Sequence, residues 1–329
     1  MTGSKLLVGV DEAGYGPSMG PLTICATAWR VPISFDACEM SRLLEPEILA
    51  KPIKPTSTHV PIGDSKKIHR EKLAVEGLLL GARFQCFALD GKIPLDWDSC
   101  IASFARQDWD RLLKIPWYVW RTSGTTEMLD QTILDQPAHF RAAIDKLTAH
   151  SIALVGVRMR VVDEIEFNQQ VDRSGNKSTL LSEASLALVK QVVSEFAIKG
   201  EVVEVFCDKH GGRNRYQAIL TYIFDEEWFG IEIESRACSR YTAKWDGHEM
   251  QIQFKVDGDS IFPAAAASIM AKYTREELMA RLNGYWQASV SGGVAATAGY
   301  YVDALRFAKQ IEGAALKQGL DRDSWWRKK

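Results

Sequence analysis

Val8-Gly9-Val10-Asp11-Glu12-Ala13-Gly14-Tyr15-Gly16-Pro17 sets two adjacent carboxylates at the end of an apolar run that turns at once into glycine. Leu6, Leu7, Val8 and Val10 form a brief run, rich in aliphatic residues and stopped by Gly14 and Gly16, which is the pattern of a buried strand. Successive strand residues face opposite sides, so Asp11 and Glu12 point apart. A buried carboxylate is costly unless a cation or a donor meets it. A divalent metal would be one such partner, making the segment part of a hydrolytic metal centre. The other reading is a turn, with Asp11 as an Asx-type cap and Glu12 in solvent.

Further acidic residues sit where such a centre could be completed. Val202-Val203-Glu204-Val205-Phe206-Cys207-Asp208 is a second apolar strand ending in a carboxylate, followed by Lys209, His210, Gly211 and Gly212. The carboxyl end of a buried strand opens on the crevice where α/β proteins place chemistry. For Asp208 the alternatives are a helix cap and a turn former. Asp257-Gly258-Asp259-Ser260-Ile261-Phe262-Pro263 leads into a small-residue helix, Ala264 to Lys272. An Asp ahead of Pro at a helix start caps the helix by default, with metal ligation as the sharper reading. The four alanines suggest a helix pressed closely on a sheet. Gly63-Asp64-Ser65-Lys66-Lys67 reads as a turn running into a basic helix, whose lysines either hold a phosphate or form a solvated face.

These positions need elements to hold them. Strands are expected at Leu6 to Val10, Leu22 to Trp29, Arg83 to Leu89, Ile152 to Val162, Val202 to Cys207, Ile231 to Cys238 and Gln251 to Val256. Helices are expected at Arg70 to Leu80, Ser178 to Ile198, Arg215 to Ile223, Pro263 to Leu282 and Val302 to Gln318. The alternation indicates an α/β domain with a mixed sheet. Pro32 to Thr58, rich in proline, reads as an irregular excursion. Trp97 to His150 reads as a helical insertion on the sheet.

Composition narrows the classes. The 329 residues can bury a large core, and 40 basic against 42 acidic residues leave no global field to attract nucleic acid, so any such binding needs a local patch. The six cysteines are scattered without a CxxC pair, which fits free thiols in a reducing cytosol and argues against sulfur ligation. No apolar run approaches the roughly 20 residues that span a bilayer, and no signal-peptide pattern opens the chain. A soluble cytoplasmic protein is expected.

VGVDEAGYGP, GDSKK, VFCDKHGG with RYQAIL after it, DSIFPAAAASIMAKYTREELM and AGYYVDA occur in an order that resembles the type 2 ribonuclease H family. The second half is similar to the archaeal and eukaryotic branch, including the ending Arg322-Asp323-Ser324-Trp325. The resemblance covers the first 30 residues, Ile62 to about Lys72, and more weakly Val202 to the C-terminus. It implies a single ribonuclease H-like α/β domain over residues 1–329, a mixed central sheet flanked by helices. The helical insertion at about 97–150 lies within it, and a C-terminal helical region at 284–329 contacts substrate.

Carried over by position, the resemblance makes Asp11, Glu12, Asp208 and Asp259 the catalytic and metal-binding carboxylates. Asp-Ser-x-x-Pro selects Asp259, whereas Lys-x-Asp selects Asp257; Asp259 is preferred because the helix start places it. Four converging carboxylates call for about two divalent cations, Mg²⁺ or Mn²⁺ given all-oxygen ligands. The implied reaction cleaves RNA in RNA/DNA hybrids, or ribonucleotides embedded in duplex DNA, leaving 5′-phosphate and 3′-hydroxyl ends. The enzyme is expected to act as a monomer. Substrate contacts are implied for Gly14, Tyr15, Gly16, Ser65, Lys66, Asn168 and Tyr300. His210 is either an aid to proton transfer or product release, or a bystander. Tyr15 departs from the Arg or Lys that the family carries between the two glycines, and either stacks on a sugar or base or packs as a core aromatic. Ala298 and Tyr301 depart from a basic residue and a proline at the same surface. Two alternatives stand beside the ribonuclease: a repurposed, non-catalytic nucleic-acid-binding homologue, and a metal nuclease with another substrate.

Overall fold

Leu6, Val8 and Val10 face one side of the first strand and Leu7 the other, and all four are buried, so this strand lies between two apolar layers. The computed structural model describes residues 3–54, 57–68, 73–94, 96–121 and 137–328. Among them a 7-stranded sheet contains β1 (Ser4–Ala13), β2 (Leu22–Pro32), β3 (Ala153–Val162), β4 (Val202–Asp208), β5 (Gly230–Glu234), β6 (Cys238–Trp245) and β7 (His248–Lys255). The spatial order is β3-β2-β1-β4-β7-β6-β5. The β1–β4 and β4–β7 pairs are parallel and the other pairs antiparallel, so the sheet is mixed. Nine helices of seven residues or more are described: α1 (Ala74–Asp90), α2 (Trp97–Phe104), α3 (Arg106–Leu112), α4 (Pro137–Ala149), α5 (Glu164–Ser174), α6 (Lys177–Phe196), α7 (Gln217–Ile223), α8 (Phe262–Ser289) and α9 (Tyr301–Lys317). None of the described helices is long and apolar enough to cross a membrane.

Helix α8 covers the Leu7 face together with α1, whereas α6 covers the face formed by Leu6, Val8 and Val10. Small residues explain how closely α8 approaches. A Cβ on Gly9 would lie 1.9 Å from the Pro263 carbonyl carbon, so backbone packs on backbone there. Two buried hydroxyls on β2 satisfy carbonyls of the same helix: Thr27 Oγ1 donates to Pro263 O at 2.8 Å and Thr23 Oγ1 to Ala271 O at 2.9 Å. The start of α8, which carries the Asp259 turn, is thereby fixed over the middle of β1.

Two expectations need correction. Residues 83–89 are not a strand but the second half of α1, which ends at Gly91 with φ 67°. A window of seven apolar and polar residues suits either period, and the helix instead packs through glycine: a Cβ on Gly81 would stand 2.6 Å from Pro61 O. The span expected as one strand at 231–238 divides into β5 and the beginning of β6, with Ser235 N donating to Cys238 O at 2.9 Å across the bend. The rest of β6 had no sequence expectation, although Asp246-Gly247, at φ 49° and 82°, is a strong signal for its hairpin with β7. Residues 122–136 of the expected insertion lie outside the described residues.

Candidate active site

The last parallel pair between β1 and β4 is Val10 with Cys207. The next residues along the two strands are Asp11 and Asp208, so strand register alone brings two carboxylates to the carboxyl ends of neighbouring central strands. Asp11 is buried, and Glu12 and Asp208 are partly buried. The Asp208 Oδ1 accepts from Lys209 N at 2.8 Å and from Gly258 N at 3.4 Å. Gly258 is required at that contact because a Cβ would lie 2.7 Å from Cys207 O. The turn Gly258–Ser260 is in this way drawn onto the end of β4, carrying Asp259 into the crevice.

Asp259 is buried and raises the Asp11 pKa, whereas Asp257 is exposed in left-handed backbone, φ 57°. Desolvation is the chief reason that the Asp11 carboxyl rises from 3.8 to about 6; Lys272 and a hydrogen bond from Ser268 pull it back, and Asp259 pushes it up. Burial, then Asp11, then Asp208 push Glu12 well above its ordinary value, against the pull of Lys272. Neither Ser268 nor Lys272 was expected to act at the site, and Lys272 entered only as the end of the small-residue helix. Their spacing of four residues places them on one face of α8, which was the available signal.

The donors suit a hard divalent cation: they are oxygens, partly or wholly buried, with Asp259 raising the pKa of Asp11, and Asp11 and Asp208 that of Glu12. Among the described residues, no group of three or more His, Cys, Asp or Glu side chains is gathered to hold a metal ion, and Lys272 supplies positive charge at the carboxylates. As arranged here, the crevice is an acidic site partly neutralised by an ammonium.

The glycine loop lies beside these acids. Gly14 has φ 88°, and a Cβ there would meet Pro21 O and Arg275 Nε, both at 2.5 Å. Tyr15 crosses to the loop after β4, where its hydroxyl would lie 2.7 Å from a Cβ on Gly211. Burial and the Glu12 carboxylate raise its phenol pKa, and a hydrogen bond with Ser178 lowers it. Lys177 Nζ stands 5.0 Å from the ring centroid, a contact worth about 0.5–1 kcal/mol at a partly exposed site. Tyr300 closes the other side: its ring edge would be 3.8 Å from a Cβ on Gly16, and Gly299 O accepts from Ser18 N at 2.8 Å.

Gly14, Tyr15, Gly16 and Tyr300 are therefore neighbours. Two other expected contact residues have different places. Asn168 is buried, with Nδ2 donating to Asp323 O at 2.9 Å and Trp326 O at 2.8 Å, while Oδ1 accepts from Lys328 N at 2.7 Å. Both amide donors are used inside the protein, so Asn168 holds the C-terminal segment rather than facing a substrate. His210 is likewise a core residue: Nδ1 lies 3.1 Å from Ser182 Oγ, the ring packs on Phe254 and Tyr216, and burial lowers its pKa to about 3. The structure thus places His210 in the core, on the bystander side of its two readings. Ser65 and Lys66 begin a short helix, Ser65–Ile68, and their side chains lie outside the described residues.

Arg327 is the largest contribution that sequence reasoning missed. Its Nη1 donates to Gly14 O at 2.7 Å and Gly20 O at 3.2 Å, and Nη2 to Tyr15 O at 3.0 Å. The guanidinium carbon lies 4.0 Å from the Phe167 ring centroid. Below it the fully buried Glu164 accepts from Gly20 N at 3.0 Å and from Tyr118 Oη at 2.9 Å. Asn168 fixes the tail, and the tail's arginine fixes the glycine loop.

Strands, helix start and anchored loop define a mixed α/β protein with an acidic crevice at the carboxyl ends of its central parallel strands. No family model matches the chain, and no curated protein matches it in sequence. Among solved structures it is similar to ribonuclease H2 from Pyrococcus horikoshii OT3, with 14% identity, a TM-score of 0.40, and coverage of 97% of this chain and 92% of that one. It is also similar to the ribonuclease HII structure from Archaeoglobus fulgidus in complex with PCNA, at 15% identity, TM-score 0.39, and 97% and 93% coverage. A third is Bst-RNase HIII in complex with Mn²⁺, at 14% identity, TM-score 0.45, and 99% and 67% coverage.

Proposed function

We propose that this chain is a metal-dependent endoribonuclease of the type 2 ribonuclease H kind. It hydrolyses the RNA strand of RNA/DNA hybrids, or ribonucleotides embedded in duplex DNA, to 5′-phosphate and 3′-hydroxyl ends. The observation that carries this reading is the convergence of Asp11 and Glu12 with Asp208 on the adjacent parallel strand and Asp259 at the start of α8. Those four residues would hold Mg²⁺ or Mn²⁺, which when bound supplies an activated water and stabilises the leaving oxygen. Asp259 is assigned the fourth position because it is buried beside Asp11, and Asp257 is not. Ser268 orients the Asp11 carboxyl, and Lys272 limits the repulsion among the acids. Gly14, Gly16 and Tyr300 form the wall along which the ribose would lie, and the 284–329 region supplies Tyr300 and Arg327 to it.

One observation favours a second reading. Lys272 already offsets the carboxylates, and no described trio of acids closes on one cation, as would suit a homologue that binds nucleic acid without cutting it. The deciding experiment incubates the protein, Asp11→Asn and Asp208→Asn with a duplex holding one ribonucleotide, a longer RNA/DNA hybrid and an all-DNA duplex. Each is run with Mg²⁺, Mn²⁺ or chelator. The proposal requires cation-dependent cleavage of a ribonucleotide-bearing substrate by the parent and its loss in both variants. Binding without cleavage establishes the second reading, and cleavage of the all-DNA duplex indicates a nuclease of different specificity.

A further inference from the structure

We propose that Lys177 is the phosphate-contacting cation of the groove beside the glycine loop, gripping the nucleic-acid backbone next to the acidic crevice; this rests on the nuclease reading above. The groove encloses about 310 Å³ and is lined by Tyr15, Gly16, Ser18, Lys177, Tyr301 and Lys328, with Arg327 at its base. Three cations therefore border it, and two of them are committed. Arg327 is buried, with its guanidinium donating to the carbonyls of Gly14, Tyr15 and Gly20. Lys328 Nζ pairs with Asp172 at 2.7 Å and Asp323 at 3.2 Å.

Lys177 differs from both. Among the described residues its ammonium has no carboxylate partner and no hydrogen bond, and it stands over the Tyr15 ring at 5.0 Å. The ring is itself positioned by Ser178 and by the backbone of Gly211. Tyr15 follows Glu12 by three residues and its hydroxyl packs against Gly211, three residues past Asp208, so the groove and the crevice share a wall. A strand whose scissile phosphate reaches Glu12 and Asp208 must carry a neighbouring phosphate past Tyr15. The ammonium poised there is unspent, and a phosphodiester is the anion that the nuclease reading delivers to it. A contact of this kind reads the backbone and not the base or sugar.

The test measures equilibrium binding to a ribonucleotide-containing duplex and to an all-DNA duplex, with chelator present, across a salt series. Each phosphate contact contributes about −0.9 to the slope of log K against log salt on duplex DNA. Lys177→Ala is expected to make that slope shallower by about 0.9 on both duplexes and to weaken binding several-fold near 0.1 M salt. Lys177→Arg should retain the parent slope. Tyr15→Leu, which removes the ring beneath the ammonium, should shift the slope in the same direction as Lys177→Ala by a smaller amount. A Lys177→Ala slope equal to the parent's, in a protein that binds and cleaves, overturns the role of Lys177 alone. A parent that binds no duplex overturns this assignment together with the nuclease reading.

Discussion

Arg327 and Gly14 are 313 positions apart in sequence and are joined by a hydrogen bond of 2.7 Å from Nη1 to the glycine carbonyl. The same guanidinium reaches the Tyr15 and Gly20 carbonyls, so the loop beside the acids is held from beneath by the end of the chain.

Removing that clamp would leave buried carbonyls without a donor. Arg327→Met is expected to cost about 2–4 kcal/mol in denaturant unfolding, and Arg327→Lys less, since one ammonium can recover only part of the set. If the loop positions substrate, the KM for a ribonucleotide-bearing duplex should rise in both variants. Unchanged stability in Arg327→Met would show that the carbonyls find other partners.

Gly9→Ala tests the seating of α8. The new Cβ would fall 1.9 Å from the Pro263 carbonyl carbon, and backbone cannot rotate aside as a side chain does. A loss of about 3 kcal/mol or more is expected from thermal or urea unfolding. A variant of parental stability would mean that the start of α8 shifts at little cost.

Asp259→Asn and Asp257→Asn separate the two candidates for the fourth ligand. Cation-dependent cleavage should fall by about 100-fold or more in Asp259→Asn, beyond what outer-shell partners of metal sites ordinarily cost, and by less than about threefold in Asp257→Asn. The reverse ranking would transfer the ligand to Asp257 and require the 257–260 turn to rearrange.

Glu164 makes stability depend on pH. Desolvation chiefly, with Asp163 adding to it, raises its folded pKa from 4.5 to about 7, so the folded protein holds this proton more firmly than the unfolded chain. Its contribution to stability is present in full below pH 4.5 and is lost as pH rises through about 7, an effect of roughly 3 kcal/mol. Glu164→Gln is neutral throughout. Its stability relative to the parent should therefore improve steadily between pH 4.5 and 7.5, whatever its offset at one pH. Parallel unfolding curves across that window would rule the effect out.

Much of the fold was legible because the central strands are continuous aliphatic runs and the long helices carry extended apolar periodicity, although α8 runs seven residues past its expected end at Leu282. β1, β2, β3, β4 and β7 and helices α6 to α9 all overlap their expected spans. Edge elements were less legible. β6 does alternate, with Arg240, Thr242 and Lys244 between Tyr241, Ala243 and Trp245, and its Asp246-Gly247 turn marks the hairpin, so both signals were present and went unused. α5 is polar on most of its surface, and its one cue was Asp163, whose Oδ1 caps Ile165 N and Glu166 N. At the site, carboxylates at strand ends could be picked out one by one from local pattern. Arg327 could not, since a basic residue at a chain end looks the same in sequence whether it is solvated or buried against a distant loop.

The crevice is written in three widely separated passages of the chain, residues 4–13, 202–208 and 258–272, joined by parallel pairing and by one glycine's contact with a helix start. Closing loops of that length is slow relative to forming local helices. Nascent chain that has not yet extended past residue 257 therefore holds Asp11 and Glu12 with neither the Asp259 turn nor the Lys272 countercharge in place. Completion of the acidic crevice is a late event in the life of each molecule, and it requires that β1 and β4 have paired and that the turn after β7 has reached the end of β4.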